Sequence, residues 1–151
     1  MSVETRTHTA LHVVKGAIVK VLGDDAKWSA GASADGSHGR ITVQFNRKPT
    51  DDEVSEIERL ANLKIEEDQP IEIHVMSRAD AEARWGDLIY DLFPLPEHIT
   101  ELQIFHLPGW NVNACNKEHT PSTGAIGGLV ISKTRYRNKR QLLEVSFDLA
   151  E

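Results

Sequence analysis

The sequence predicts an α+β domain in two layers, with two long helices packed on a mostly antiparallel sheet. Three observations predict it: two segments with helical periodicity, six or seven short segments that read as strands, and turn-rich spacers short enough for hairpins. The first helix is expected from an N-cap at Thr7 to about Leu22. Ala10, Leu11, Val14, Ala17, Ile18, Val21 and Leu22 form one broad apolar face, and Gly23 supplies the stop. Ile41, Val43 and Phe45 alternate after the turn-rich run Asp35-Gly36-Ser37-His38-Gly39, which predicts a hairpin with the segment near Lys27 to Ser33. Thr50-Asp51-Asp52-Glu53 after Pro49 reads as a capping box. Val54, Ile57, Leu60, Ala61 and Ile65 then come at helical spacing and define the second long helix.

Ile71, Ile73 and Val75 alternate as a strand, and Ser77 caps a short helix ending near Trp85-Gly86. Pro94 and Pro96 interrupt the next segment. Leu102 to Leu107 and Trp110 to Cys115 are strands separated by Pro108-Gly109, and a last hairpin joins Leu129–Tyr136 to Leu142–Leu149. Local pattern does not dictate the strand order. With 151 residues, of which 40% are hydrophobic and 26% charged, the chain is expected to be a single domain over 1–151 with a core of its own.

Composition narrows the function classes. No apolar run approaches the roughly 18 residues that cross a bilayer, and Met1 to Ala10 holds no signal-like apolar segment, so a soluble cytoplasmic protein with no membrane partner is expected. The net charge of −6, from 17 Lys and Arg against 23 Asp and Glu, argues against indiscriminate nucleic-acid binding. A local basic patch is still compatible with it. The lone Cys115 has no disulfide partner within the chain, which leaves it a thiolate, a metal ligand or a small buried residue. Neither a P-loop nor a GxGxxG or GxSxG signature is present.

His8 and His12 stand four residues apart on the first predicted helix, about 40° apart around its axis, so both rings project from one face. Cys115 and His119 repeat that spacing at the end of a strand on which Asn111, Asn113 and Cys115 share one side. Together the four make a ligand set suited to one zinc ion. Thr9 stands where a zincin helix carries its glutamate base, which disfavours peptide hydrolysis of that type. Gly16 leaves room one turn beyond His12, either for a substrate to approach or for a close helix contact.

His8-Thr9-Ala10-Leu11-His12 and Cys115-Asn116-Lys117-Glu118-His119-Thr120 resemble the alanyl-tRNA editing proteins of the AlaX family, of the short, free-standing archaeal type. The likeness continues through Val13-Val14-Lys15-Gly16, Lys27-Trp28-Ser29, Asp91-Leu92-Phe93-Pro94, Trp110-Asn111-Val112-Asn113-Ala114 and Thr123-Gly124-Ala125-Ile126-Gly127, and so covers most of the chain. It implies a zinc-dependent aminoacyl-tRNA deacylase that removes mischarged serine, with glycine as a second candidate, from alanine tRNA. A pocket shaped for alanine cannot strongly reject an amino acid that only adds a hydroxyl, hence the need for such an editing site.

The resemblance also implies that His8, His12, Cys115 and His119 hold the zinc and that Ser29 sits in the amino-acid pocket. Glu118 and His106 are the candidate bases. Gly127, with Gly124 and Gly128, either offers backbone amides near the terminal ribose or serves the turn before the last hairpin. Lys133, Arg135 and Arg137 alternate along one predicted strand, with Lys139 and Arg140 at its turn, and form a stripe fit for tRNA phosphates or an ordinary solvated face. Lys15 and Lys20 are alternative contacts on a surface helix. Four protein ligands favour a competing reading, a non-catalytic zinc-stabilised module that binds RNA or protein.

Overall fold

A helix of twenty residues, Val3–Leu22 (α1), runs through the middle of the protein, and the computed structural model describes residues 1–150 around it. Every residue of α1 from Thr9 to Ile18 is buried. A helix buried all round is normally apolar all round, yet this stretch contains His12 and Lys15. The expected start at Thr7 is corrected. Ser2 is the N-cap, its Oγ accepting from Thr5 N at 3.1 Å, and Thr7 lies one turn inside, its hydroxyl donating to Gly36 O at 2.7 Å. Three threonines in the first turns mask the helix in sequence, because β-branched residues lower helix propensity while their hydroxyls bond back to the preceding turn. Gly23 ends α1 at φ 87°, as expected.

The fold is α+β, and the seven strands among the described residues, all antiparallel, divide into two sheets. Strands β1 (Ser29–Asp35) and β2 (His38–Gln44) form the expected hairpin, with Gly36 at φ 57° in a two-residue turn. Strands β6 (Leu129–Arg137) and β7 (Leu142–Leu149) form the last hairpin, and β2 pairs with β7 to give the order β1-β2-β7-β6. On the inner face of this sheet Ile41, Val43, Leu143, Val145 and Phe147 pack with α1 and with helix α2, Asp51–Glu66. The predicted capping box is present in full: Glu53 N donates to Thr50 Oγ1 and Thr50 N to Glu53 Oε1.

The second sheet has the order β3-β4-β5, with β3 at Glu72–Ser77, β4 at Glu101–Leu107 and β5 at Asn111–Ala114. Its Phe105 and Leu107 join the central core beside α1. Leu102 and Ile104 alternate to the other side, where they form a smaller core with Ala81 of helix α3, Arg78–Trp85, and with Ile89. β3 alternates as expected, but Ile73 and Val75 are 45% and 67% exposed, while His74 and Met76 point towards α3. As an edge strand, β3 extends beyond the reach of α1, so its apolar residues on that side are not covered.

Candidate metal centre

The helical period of α1 sets His8, Leu11, His12 and Lys15 on the face turned towards the second sheet. There they meet Asn111 and Asn113 of β5 and Cys115, whose backbone N–H is fixed by Gln103 O at 2.9 Å. His119 arrives on the loop after β5. That loop is anchored where Thr120 N donates to Thr9 Oγ1 at 2.9 Å, so the same helix that carries two histidines also positions the third. Ligand atoms of His8, His12, Cys115 and His119 all lie within 4.8 Å of one another.

His8 Nε2 stands 3.1 Å from Cys115 Sγ, and His12 Nε2 faces His119 Nε2 at 3.3 Å. Two nitrogens about 2.0–2.1 Å from a tetrahedral zinc would be roughly 3.3 Å apart, so His12 and His119 stand at ligand spacing. His12 Nδ1 donates to Asn111 Oδ1 at 2.9 Å, which leaves the Nε2 lone pair facing the cluster. Phe105 stacks beneath the same ring, with centroids 3.8 Å apart and planes 10° from parallel. His119 Nδ1 is buried with no partner among the described residues, so none of their acceptors commits that imidazole's proton.

Burial holds all three imidazoles below their ordinary pKa: His12 far below, His119 at about 4, with repulsion from neighbouring cationic groups adding to it. They are therefore neutral, the form that ligates metal, at physiological pH. Burial pushes the Cys115 thiol the other way, and a bound cation would reverse that by releasing its proton. Three neutral imidazoles and one thiol, oriented by an outer amide, fit a zinc-class ion. Asn111→Ala, which removes no ligand, is expected to lower metal affinity about 10–100-fold in chelator competition. Unchanged affinity would mean that Asn111 does not orient His12.

The centre opens into a cavity of about 500 Å³ that His8, His12 and Cys115 share with Lys15, Ser29 and Asp91. Ser29 is buried and accepts a 2.6 Å hydrogen bond from Lys15 Nζ. Lys15 is thus not the surface-helix lysine expected, and burial lowers its pKa to about 8 despite the opposing pull of Asp91. The i→i+7 relation to His8 would have placed Lys15 on this face. Asp91 lies at the exposed rim and accepts from Asn113 Nδ2 at 3.1 Å.

The remaining predicted residues lie elsewhere. The space that Gly16 leaves is filled by Trp110, whose Nε1 donates to Val13 O at 2.9 Å, so of the two expectations, a substrate approach or a close helix contact, it serves close packing, against a tryptophan and not a second helix. A Cβ at Gly16 would stand 2.3 Å from Trp110 Cδ1. Gly16→Ala is therefore expected to destabilise the protein by about 1–3 kcal/mol in urea unfolding, although alanine is the better helix former. A neutral result would contradict this seating of Trp110.

Gly127, at φ 88°, comes after a short 3-10 turn beside Arg6 and is outside the cavity lining. Glu118 is exposed and lines a neighbouring depression with His8 and Lys117. His106 sits away from the quartet, its Nδ1 donating to Glu72 at 3.1 Å. Lys133, Arg135 and Arg137 are exposed on the outer face of the four-stranded sheet, opposite α1, with Lys139 and Arg140 at the following turn. Glu144 lies among them and accepts from Arg137 Nε at 2.7 Å. None of the five lines the cavity.

No protein-family model matches the chain. Over 127 residues, 84% of its length, it is 41% identical to an alanine–tRNA ligase of Methanopyrus kandleri. Over 129 residues, 85% of its length, it is 35% identical to that of Pyrococcus abyssi, and over 130 residues, 86%, it is 36% identical to that of Methanothermobacter thermautotrophicus. The chain spans 14% of the length of each of these ligases, and so resembles one domain-sized segment of them. No helix among the described residues is long and apolar enough to cross a membrane.

Proposed function

We propose that this chain is an alanyl-tRNA editing domain of the AlaX type: residues 1–151 form one domain that hydrolyses the ester between serine and the 3′ end of alanine tRNA, with one zinc ion held by His8, His12, Cys115 and His119. The observation that carries the reading is the shared cavity, in which three of the four donors and the buried Lys15–Ser29 pair line the same space. The likeness to ligases that join alanine to tRNA supports it, since their product differs from the proposed substrate only in the amino acid. A cavity of this size falls within the range of sites that enclose small ligands, roughly 300–1,000 Å³.

Zinc bound at the quartet would polarise the ester carbonyl or hold the aminoacyl group while a separately held water attacks. Ser29 Oγ and Lys15 Nζ offer hydrogen bonds to the serine hydroxyl. Alanine would leave Ser29 and Lys15 bonded to each other but the further donors of the Lys15 ammonium unmatched in a buried place, and such a mismatch discriminates. Asp91 at the rim is the anionic group available to the substrate's ammonium. Glu118 is the nearer of the two base candidates. Lys117, at the cavity rim, is the cation best situated for the last phosphates. The stripe from Lys133 to Arg140 would serve backbone contacts farther along the tRNA, around the edge of the sheet.

A second reading rests on a specific observation: four protein donors complete a tetrahedral set, as structural zinc sites do. A zinc-stabilised binding module would unfold on chelation without having hydrolysed anything beforehand. The experiment is deacylation of seryl-tRNA and alanyl-tRNA, both on alanine tRNA, by the purified, metal-analysed protein. Editing predicts rapid loss of serine with alanine spared, and at least tenfold slower serine loss in Ser29→Ala, the order of one buried hydrogen bond. Loss from neither, with zinc bound, favours the module.

A further inference from the structure

A second set of donors converges on the other face of the three-stranded sheet. Glu72 on β3 stands opposite His106 on β4 in register, and His74, two residues along β3, shares that face. His74 Nε2 and His106 Nδ1 both donate to one oxygen, Glu72 Oε1, at 2.9 and 3.1 Å. The three donor atoms lie within 4.8 Å of one another. Trp85 of α3 packs against both imidazoles, 5.7 and 5.2 Å between centroids, and holds the rings on the side facing the carboxylate. Neither histidine belongs to the quartet around Cys115, and β4 separates the two groups: Phe105 faces His12, while its neighbour His106 faces Glu72.

We propose that Glu72, His74 and His106 form a second site for a divalent cation of the zinc class. Two imidazoles and one carboxylate are a donor set that zinc accepts with a position left for water. Two nitrogens directed at one carboxylate oxygen already mark the point on which three ligands would converge. On binding, the proton on each of these nitrogens either leaves to solvent or is exchanged for one on the opposite ring nitrogen, and the lone pairs turn to the cation. The cation would clip the edge strand β3 to β4. It would also place positive charge beside the cleft of about 320 Å³ that His106 and Trp85 line together with Lys27 and Trp110. This site stands independently of the proposed deacylase activity, since it uses none of the groups assigned to the zinc quartet.

Cobalt(II) separates the two sites, because only one contains sulfur. The whole chain, stripped of metal and titrated with Co²⁺, is expected to show a thiolate charge-transfer band from Cys115, and a second bound ion that adds nothing to that band but quenches Trp85 fluorescence. In His74→Gln and in Glu72→Gln, both at partly or fully exposed positions where folding is not at stake, bound cobalt counted by native mass spectrometry should fall from two ions to one with the thiolate band intact. Trp85→Phe should keep both ions and lose the quenching. A single bound ion in the unaltered protein, or an unchanged count in His74→Gln and Glu72→Gln, overturns the proposal.

Discussion

Cys115→Ala is expected to leave the protein folded but with the centre of His8, His12 and His119 nearly empty of zinc, and to abolish the proposed deacylation. The fold is expected to survive because Ile18, Ile57, Phe105, Leu143 and Phe147 are buried around α1, and Cys115 meets that core only as a partly buried neighbour. Removing an outer-shell partner commonly lowers metal affinity about 10–100-fold, and loss of the only sulfur donor should exceed that. Metal analysis together with circular dichroism checks it. A variant that keeps every zinc ion the unaltered protein holds would show that Cys115 is a half-buried packing residue and not a ligand, while one that loses its helical signal would favour the structural-module reading.

Phe105→Ala is expected to be the most destabilising single change at the centre, by about 3–5 kcal/mol in denaturant unfolding. Phe105 is fully buried, and its ring forms the floor under His12 and lies 4.8 Å from that of His119. Truncation would open a cavity beneath two proposed ligands, so zinc affinity should fall together with stability. Phe147→Ala, equally buried but on the other sheet, should cost a similar amount of stability without changing the affinity. Equal losses of zinc affinity in both variants would mean that the centre responds only to global stability and that Phe105 has no local part in orienting the rings.

Much of the fold was legible because local chemistry and final structure agree. Thr50 and Glu53 make the capping box that their spacing predicts, Gly23 stops α1, and the alternation in β2, β6 and β7 matches their inner and outer faces. Pairing between distant segments is not encoded in local pattern. Neither β2 with β7 nor Glu72 opposite His106 has a signature within a few residues, so the division into two sheets and the second donor cluster emerge only in three dimensions.

The quartet was legible through residue chemistry: two histidines one helical turn apart and a lone cysteine with a histidine at the same spacing are uncommon enough to be joined across the chain. Lys15 was misplaced although its spacing from His8 puts it on the same face, because a lysine in a helix is ordinarily solvated. Here Ser29 accepts from its ammonium within a cavity, and that partner comes from another element altogether. Gly16 was readable as a close approach, but nothing local says whether a substrate or Trp110 takes the space.

The most direct test of the account measures seryl-ester hydrolysis on alanine tRNA by zinc-loaded protein, by protein stripped with a chelator, and by stripped protein restored with one equivalent of zinc, with folding monitored throughout. Activity is expected to disappear on stripping while the protein stays folded, and to return with zinc. Undiminished hydrolysis by folded, zinc-free protein would contradict it.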